Sequence, residues 1–362
     1  MDPKVYIIVL NYNSWEDTIE CLESLLKLEY TNFQIVVVDN ASKNDSLSFL
    51  KNWAKGNFCL HLSNNNSLKK YSFPLVPKPL PFEHFCEGKS VEVNSVDGLQ
   101  KIIFIESTEN AGYSTGNNLG MEYALSCKDA DYFWILNNDT TLPPESLKQL
   151  VEASEKAKRA GKKIGMMGGK LMYYHNPAII QNVGSYYLPA LAYSKNRVEE
   201  NNGNYKQDPH SLKISYLSGA CLLVPASFVL EVGKLSEDYF IYMEEVDWTI
   251  RAKQKGWQIE YCSEARIFHK EGISINEGGI YALTGIKSKL SDYYWIRNKI
   301  LITRKYYPLF LPIVIASTLL AVLQRIKRKQ SGRIPLLLKA IYHGFTGFKM
   351  SPDRLRNNIK KL

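Results

Sequence analysis

The sequence predicts an α/β fold: a mostly parallel sheet flanked by helices on both faces, followed by a helical C-terminal segment. Three observations carry this. Short apolar runs alternate with stretches of helical periodicity through the first half of the chain. The runs lack polar alternation, as strands buried on both faces do. Clusters rich in Asn and Asp follow directly on the runs, at the carboxyl ends of the strands, where open α/β sheets bind ligands.

Val5–Leu10 reads as the first strand and Glu16–Leu28 as a helix, with Ile19, Leu22, Leu25 and Leu26 at helical spacing. Gln34–Val38 is a second strand ending in Asp39-Asn40, and Ser46–Lys55 a helix. Residues Gly56 to Gln100 break the rhythm with Asn64-Asn65-Asn66 and then Pro74, Pro77, Pro79 and Pro81; this reads as a surface insertion, either a mobile loop or a small subdomain. Lys101–Ile105, the helix Thr115–Ser126 and Tyr132–Leu136 resume the alternation, and Asn137-Asn138-Asp139 ends the fourth strand. Asn196–Pro209 is polar and reads as another loop.

Composition narrows the class. Of 362 residues, 45% are hydrophobic and 22% charged, which excludes a disordered, collagenous or disulfide-framework protein. Six cysteines without any C-x-x-C spacing argue against structural zinc and fit reduced thiols in a cytosol. The apolar run Val5 to Leu10 is too short for a signal-peptide core, so export is not expected.

The charge is uneven. Lys299 to Leu362 holds 14 Lys/Arg against one acidic residue, Asp353, whereas the chain before it carries a net −4. Within that tail Tyr306 to Gln324 is 19 residues without a formal charge, close to the roughly 20 a spanning helix needs. Pro308 and Pro312 shorten it, and Leu336–Phe348 is a second apolar stretch with basic neighbours. Such helices suit attachment to an anionic membrane surface, interfacial rather than spanning. The plainer alternative is a helical hairpin packed on the rest of the chain. The expected division is residues 1–285, with the 56–100 insertion, and 286–362.

Several motifs could carry chemistry. A carboxylate at a strand end, such as Asp139 or Asp39, either caps the next turn or meets a ligand. One carboxylate plus a diphosphate suits a hard divalent cation. Gly112, Gly116 and Gly120 form G-x3-G-x3-G, neither a Walker loop nor a dinucleotide fingerprint. Glu244, Glu245 and Asp247 place three carboxylates within four positions of a helix start. They either complement the helix dipole or supply a general base flanked by substrate-binding acids. His269 follows a short strand alone.

Together the segments N-Y-N, V-V-D-N-A-S, N-A-G-Y-S-T-G-N-N, L-N-N-D-T, S-G-A-C-L-L-V-P, Y-M-E-E-V-D-W and I-F-H-K-E-G, in this order from Val5 to Gly272, resemble the family 2 glycosyltransferases, specifically the rhamnosyltransferase-like branch. The resemblance implies a GT-A, Rossmann-like fold and transfer of a sugar, rhamnose or similar, with inversion. The donor would be a dTDP- or UDP-linked sugar and the acceptor a lipid-linked glycan for a cell-surface polysaccharide. Asn11, Asn13 and Asp39 match nucleoside-holding positions, and Gly112 and Asn118 the loop beside ribose and diphosphate. Asn137-Asn138-Asp139 matches the D-x-D motif, with Asn137 in place of the first Asp. Asp139 and His269 would hold Mg2+ or Mn2+. Glu245 matches the general base, with Asp247 as the alternative; Glu244, Asp247 and Trp248 would line the acceptor. The expected location is the cytoplasmic face of the inner or plasma membrane.

Two rivals fit less well. A processive polysaccharide synthase would carry several spanning helices and Q-x-x-R-W, which this chain lacks. A nucleic-acid-binding tail would interleave its charges with stacking aromatics, whereas here they interleave with aliphatic runs such as Leu336-Leu337-Leu338, so no nucleic-acid partner is expected.

Overall fold

The structure is a computed structural model that describes residues 2–58, 67–96, 101–197, 214–270, 288–327, 329–350 and 355. The first part of the chain runs β1 (Val5–Asn11), α1 (Trp15–Leu25), β2 (Phe33–Asp39), α2 (Ser46–Lys55), α3 (Lys69–Ser72), β3 (Phe82–Cys86), β4 (Lys89–Asn94), β5 (Ile102–Glu106), α4 (Tyr113–Ser126) and β6 (Tyr132–Asn137). There follow β7 (Thr140–Thr141), α5 (Ser146–Arg159), β8 (Ile164–Tyr173), β9 (Ile180–Asn182), β10 (Gly184–Leu188), β11 (Tyr193–Arg197), β12 (Cys221–Pro225), α6 (Ala226–Val232), α7 (Glu244–Gln254) and β13 (Gln258–His269). Three helices close the chain: α8 (Lys289–Tyr306), α9 (Leu311–Lys327) and α10 (Ile334–Thr346).

An 11-stranded sheet in the order β4-β3-β5-β2-β1-β6-β12-β8-β13-β7, with β9 on β8, forms the centre. From β3 to β6 the strands are parallel; β12 runs antiparallel between β6 and β8, and β13 is parallel to β8. The continuous apolar strands follow from burial on both faces. Val5, Ile7 and Val9 of β1 pack with Ile19, Leu22, Leu50 and Leu150 on one face. Tyr6 and Ile8 pack with Met121, Phe228 and Trp248 on the other.

Two expectations change here. The 56–100 segment is not only an excursion: β3 joins the sheet beside β5, and β4 caps that edge. Its apolar Phe82 is fully buried, which draws the segment into the core. The uncharged stretch Tyr306 to Gln324 does not form one helix, because α8 stops at Tyr306 and a 3-10 turn, Pro308–Phe310, precedes α9. Proline has no N–H to continue the helical ladder. Among the described residues no helix is long and apolar enough to cross a membrane. Most of the loop expected over Asn196–Pro209 and the boundary at 285 lie outside the described residues.

The C-terminal helices pack on the sheet domain. Ile300 and Leu301 of α8 and Val314 of α9 share an apolar cluster with Val246 of α7. Buried Asp292 pairs with Arg325 at 2.9 Å and Arg333 at 2.6 Å, tying α8 to α9 and to the entry of α10.

Strand register positions the site. Asn11 pairs with Asp39, Leu10 with Asn137, and His269 with Thr140. The polar ends of β1, β2, β6 and β13 thereby meet at one edge of the sheet, although they lie up to 258 residues apart in sequence, from Asn11 to His269.

Candidate active site

At the ends of β1, β2 and β6 a buried relay of hydrogen bonds fixes the expected nucleoside residues. Asn138 Nδ2 donates to Thr18 Oγ1 at 2.9 Å, Thr18 Oγ1 to Asn11 Oδ1 at 2.9 Å, and Asn11 Nδ2 to Asp39 Oδ1 at 2.6 Å. Ser42 donates to Asp39 through its backbone N–H (3.0 Å) and its hydroxyl (2.6 Å). Asp39 thus caps the turn that follows it as well as standing at the crevice. Asn13, at φ 56°, organises the same loop, its Oδ1 accepting from the Lys43 N–H at 2.6 Å. Asn is among the few non-glycine residues that tolerate this conformation.

Beside them Asp139 Oδ1 faces His269 Nε2 at 3.2 Å. His269 Nδ1 lies 2.8 Å from Gln181 Oε1, and Asn137 Nδ2 is 3.3 Å from Nε2. A hydrogen bond from Nδ1–H to the Gln181 carbonyl leaves the Nε2 lone pair facing the Asp139 carboxylate, the tautomer a metal-binding histidine adopts. Two ligands at right angles around a small divalent ion stand about 3 Å apart. The donor set and spacing therefore fit such an ion. Among the described residues no third His, Cys, Asp or Glu completes a cluster, so remaining positions fall to water and substrate oxygens, as Mg2+ sites commonly arrange. Behind the pair, Lys270 bonds Asp17 and Glu20, each at 2.6 Å. Burial alone would lower this ammonium, but the two carboxylates outweigh it and hold it above the ordinary lysine range.

Glu245 stands across the same crevice. It lines a cavity of about 260 Å3 together with His269, Gln181, Tyr242 and Trp295. The Gly219 N–H donates to Glu245 Oε1 at 3.0 Å, and Tyr113 Oη donates to Gly219 O at 2.6 Å. A Cβ on Gly219 would sit 2.6 Å from Glu245 Oε1 and 2.7 Å from Tyr113 Oη, so only glycine admits this contact. Burial pushes the Glu245 carboxyl above the usual range. Glu244, next to it, is raised much further, by burial and then by the Glu245 charge. Its Oε2 has no hydrogen-bond partner. Tyr242 and Met243 precede the pair at φ 72° and 78°, two consecutive left-handed non-glycine residues. Such backbone persists only where its surroundings over-determine it. The clamp is Asn298 of α8, whose Nδ2 donates to Ile241 O (2.7 Å) and Tyr242 O (3.0 Å).

The structure corrects three expected roles, those of Asn118, Trp248 and Asp247. Asn118 is used up as a strut: its amide bonds Leu235 O at 2.9 Å, Glu237 Oε1 at 2.8 Å and the Leu235 N–H at 3.1 Å. Gly112 is a glycine because a Cβ there would meet Phe240 O at 2.3 Å. Gly116 and Gly120 let α4 lie against Leu10 and Ile8. Trp248 is fully buried against Phe228, its Nε1–H on Gly233 O at 2.8 Å, and cannot touch an acceptor. Asp247 is fully buried in an ion-pair knot with Arg251 (2.6 Å) and Lys305 (2.8 Å), plus Tyr306 Oη at 2.8 Å, so it is neither base nor acceptor ligand. A helix starting at Glu244 turns Asp247 away from Glu245.

A larger cavity, about 710 Å3, opens at the opposite end of the strands near Asp131, Ile164 and Pro225. Its Lys162 and Lys163 are held by Glu260 and Glu231, and it contains none of the groups above. The smaller cavity is where the chemistry converges.

A parallel sheet that gathers a nucleoside-type polar cluster, a carboxylate–imidazole pair and a half-buried glutamate at one edge defines a sugar transferase of the GT-A class. The family model described as Glycosyl transferase family 2 matches residues 6–70, and that described as Glycosyltransferase like family 2 matches residues 91–279, more than half of the chain. The chain belongs to glycosyltransferase family 2. It is 23% identical over 212 residues to the low-salt glycan biosynthesis hexosyltransferase of Haloferax volcanii, covering 57% of this chain and 61% of that protein. It is 26% identical over 220 residues to a dTDP-rhamnosyl transferase of Shigella flexneri, covering 59% of this chain and 68% of that one. The match thus spans under two thirds of the archaeal relative's length. Among solved structures, that of S. aureus TarS 1-349 with UDP-GlcNAc superposes with a TM-score of 0.51 at 13% identity, covering 97% of this chain and 82% of that chain, which shows the shared fold.

Proposed function

We propose that this chain is an inverting glycosyltransferase that moves rhamnose or a similar hexose from a dTDP- or UDP-linked donor to a lipid-linked glycan at the cytoplasmic face of a membrane. The observation that carries the reading is one cavity shared by Glu245 and by His269, itself 3.2 Å from Asp139. Asn11, Asn13 and Asp39 form the crevice loop that would receive the nucleoside, and Asn137 and Asn138 hold the strand end beside it. Glu245 takes the proton from the acceptor hydroxyl. That oxygen bonds to the anomeric carbon as the carbon–phosphate oxygen bond breaks, and the nucleoside diphosphate leaves. Asp139 and His269 would hold Mg2+ or Mn2+, which when bound offsets the charge developing on the leaving diphosphate. Burial raises the proton affinity of Glu245, the direction that strengthens a carboxylate as a base.

The membrane part of the reading rests on the outer faces of α9 and α10. Leu309, Ile313, Leu320 and Leu323, then Leu338, Tyr342 and Phe345, are all exposed. Lys327 ends α9 and Lys339 lies within α10. An apolar face rimmed by cations is what an interfacial helix presents to anionic lipid. The sheet domain and the C-terminal helices are then one packed body with a membrane-facing side.

A donor screen tests the reading. Nucleotide release from UDP-, dTDP- and GDP-sugars is expected with one pyrimidine donor, dependent on Mg2+ or Mn2+. Undiminished turnover in excess EDTA would remove the metal from the account. Full-length protein is expected to sediment with vesicles containing anionic lipid and to be released by salt; indifference to such vesicles would leave α9 and α10 as a purely structural pair.

A further inference from the structure

Resting on the transferase reading, we propose that β9 and the β10–β11 hairpin build a subsite for an uncharged sugar, the terminal unit of the acceptor. The Glu245 cavity is lined by Gln181, Asn182, Ser185 and Asn196 and also by Tyr242 and Trp295. Strand register puts Ser185 opposite Asn196, so both point to one face of the hairpin, while the intervening Tyr186–Lys195 pair points to the other. The hairpin's cations are thereby turned outward: neither Lys195 nor Arg197 lines the cavity, and Arg197 lies over the Tyr186 ring. Tyr242 and Trp295 meet edge to face with centroids 5.7 Å apart, an aromatic surface of the kind that covers the apolar face of a pyranose.

Gln181 is the independent sign that a ligand belongs here. It is 5% exposed, its Oε1 is taken by His269, and its Nε2 has no partner. A buried amide donor left unsatisfied is costly and calls for an acceptor oxygen. Amides and hydroxyls opposite aromatic rings are the groups that bind sugar hydroxyls. A uronate would instead bring a second anion beside Glu245, with no lysine or arginine among the described lining residues to receive it. Because Glu245 lines this same cavity and takes the acceptor's proton, the sugar held here is the acceptor's.

The test uses the full chain and simple probes: octyl glycosides of glucose, N-acetylglucosamine and glucuronic acid, with binding followed by saturation-transfer NMR. At least one neutral glycoside is expected to bind more than tenfold more tightly than the glucuronide. Asn182→Leu is expected to weaken that binding more than tenfold. Asn196→Asp, at an exposed position of the lining, is expected to weaken it severalfold. In both variants nucleotide affinity and acceptor-free donor hydrolysis should be unchanged. Equal binding of the glucuronide, no binding of either neutral glycoside, or insensitivity to both variants overturns the proposal. So does a rise in donor KM, which would give the pocket to the transferred sugar. Failure of the protein to bind any nucleotide or hydrolyse any donor would instead strike the transferase reading itself.

Discussion

The two sides of the crevice are built in different ways. On the side proposed to hold the nucleotide, Asn11, Thr18, Asp39, Ser42 and Asn138 bond to one another at the ends of β1, β2 and β6, direct neighbours in parallel. The register that forms the sheet forms the site. On the acid side Glu245 accepts from the Gly219 N–H, its loop is left-handed at Tyr242 and Met243, and that loop is held from α8 by Asn298. One side is self-assembled; the other is imposed by the C-terminal helices. The Glu245 loop is therefore held by a segment whose composition alone suggests a membrane tail.

The largest way to separate the sides is at the base. Glu245→Gln keeps the size of the side chain and cannot take a proton, so transfer should fall about 10²–10⁴-fold with nucleotide affinity unchanged. Retention of full transfer would remove Glu245 from the chemistry. Next is the knot beneath α7. Asp247→Asn leaves Lys305 and Arg251 facing a neutral group, and breaking one partner of a buried ion pair costs about 3–5 kcal/mol. Thermal melting should show that loss, while the remaining folded enzyme keeps the wild-type pH dependence. Abolished turnover at an unchanged melting temperature would make Asp247 a reacting group and undo the contrast.

A smaller effect concerns Glu244. Its folded-state proton affinity is raised by burial and then by Glu245, so folding takes up a proton above the unfolded carboxyl range. Stability from this group is present at low pH and is lost as pH climbs toward its raised value. Glu244→Gln, permanently neutral, should flatten that dependence and be more stable than wild type at neutral pH, while being equal to it near pH 4. Denaturant melts at several pH values measure this; parallel curves for the two proteins would mean that Glu244 is solvated.

The same contrast explains what could be read from the sequence. β1, β2, β5 and β6 were legible because burial on both faces leaves a continuous apolar run, and the polar ends of those runs were legible with them. Asp39 ends a strand and Glu245 opens a helix, as their sequence surroundings suggest. What escaped is whatever depends on long-range partners. Thr18 is an ordinary helical residue until Asn138 reaches it, and Gly219 shows its purpose only when Glu245 lies 2.6 Å from its missing Cβ. Gln181 and Asn298 belong to segments without a motif of their own. The misread residues show the reverse: Asn118, Asp247 and Trp248 have chemistry that suits a ligand, but the fold spends it on Leu235, Lys305 and Gly233. Gly112 before α4 and Gly116 and Gly120 within it meet close backbone and side-chain approaches, a need that glycine-rich ligand loops share.

The dependence of the acid side on α8 can be measured through Asn298. Asn298→Ala removes two hydrogen bonds, each worth about 1 kcal/mol, from the carbonyls that hold the left-handed turn. Nucleotide affinity and pH–rate profiles of the two proteins, taken together, give the result. Wild type should show an acid limb above the ordinary carboxylate range, because burial raises Glu245. In the variant the loop opens to water, so that limb should move down toward the ordinary range and kcat should fall about tenfold, with nucleotide Kd unchanged. An identical profile and rate would contradict the account and leave α9, α10 and α8 as an appendage to a catalytic domain that needs none of them.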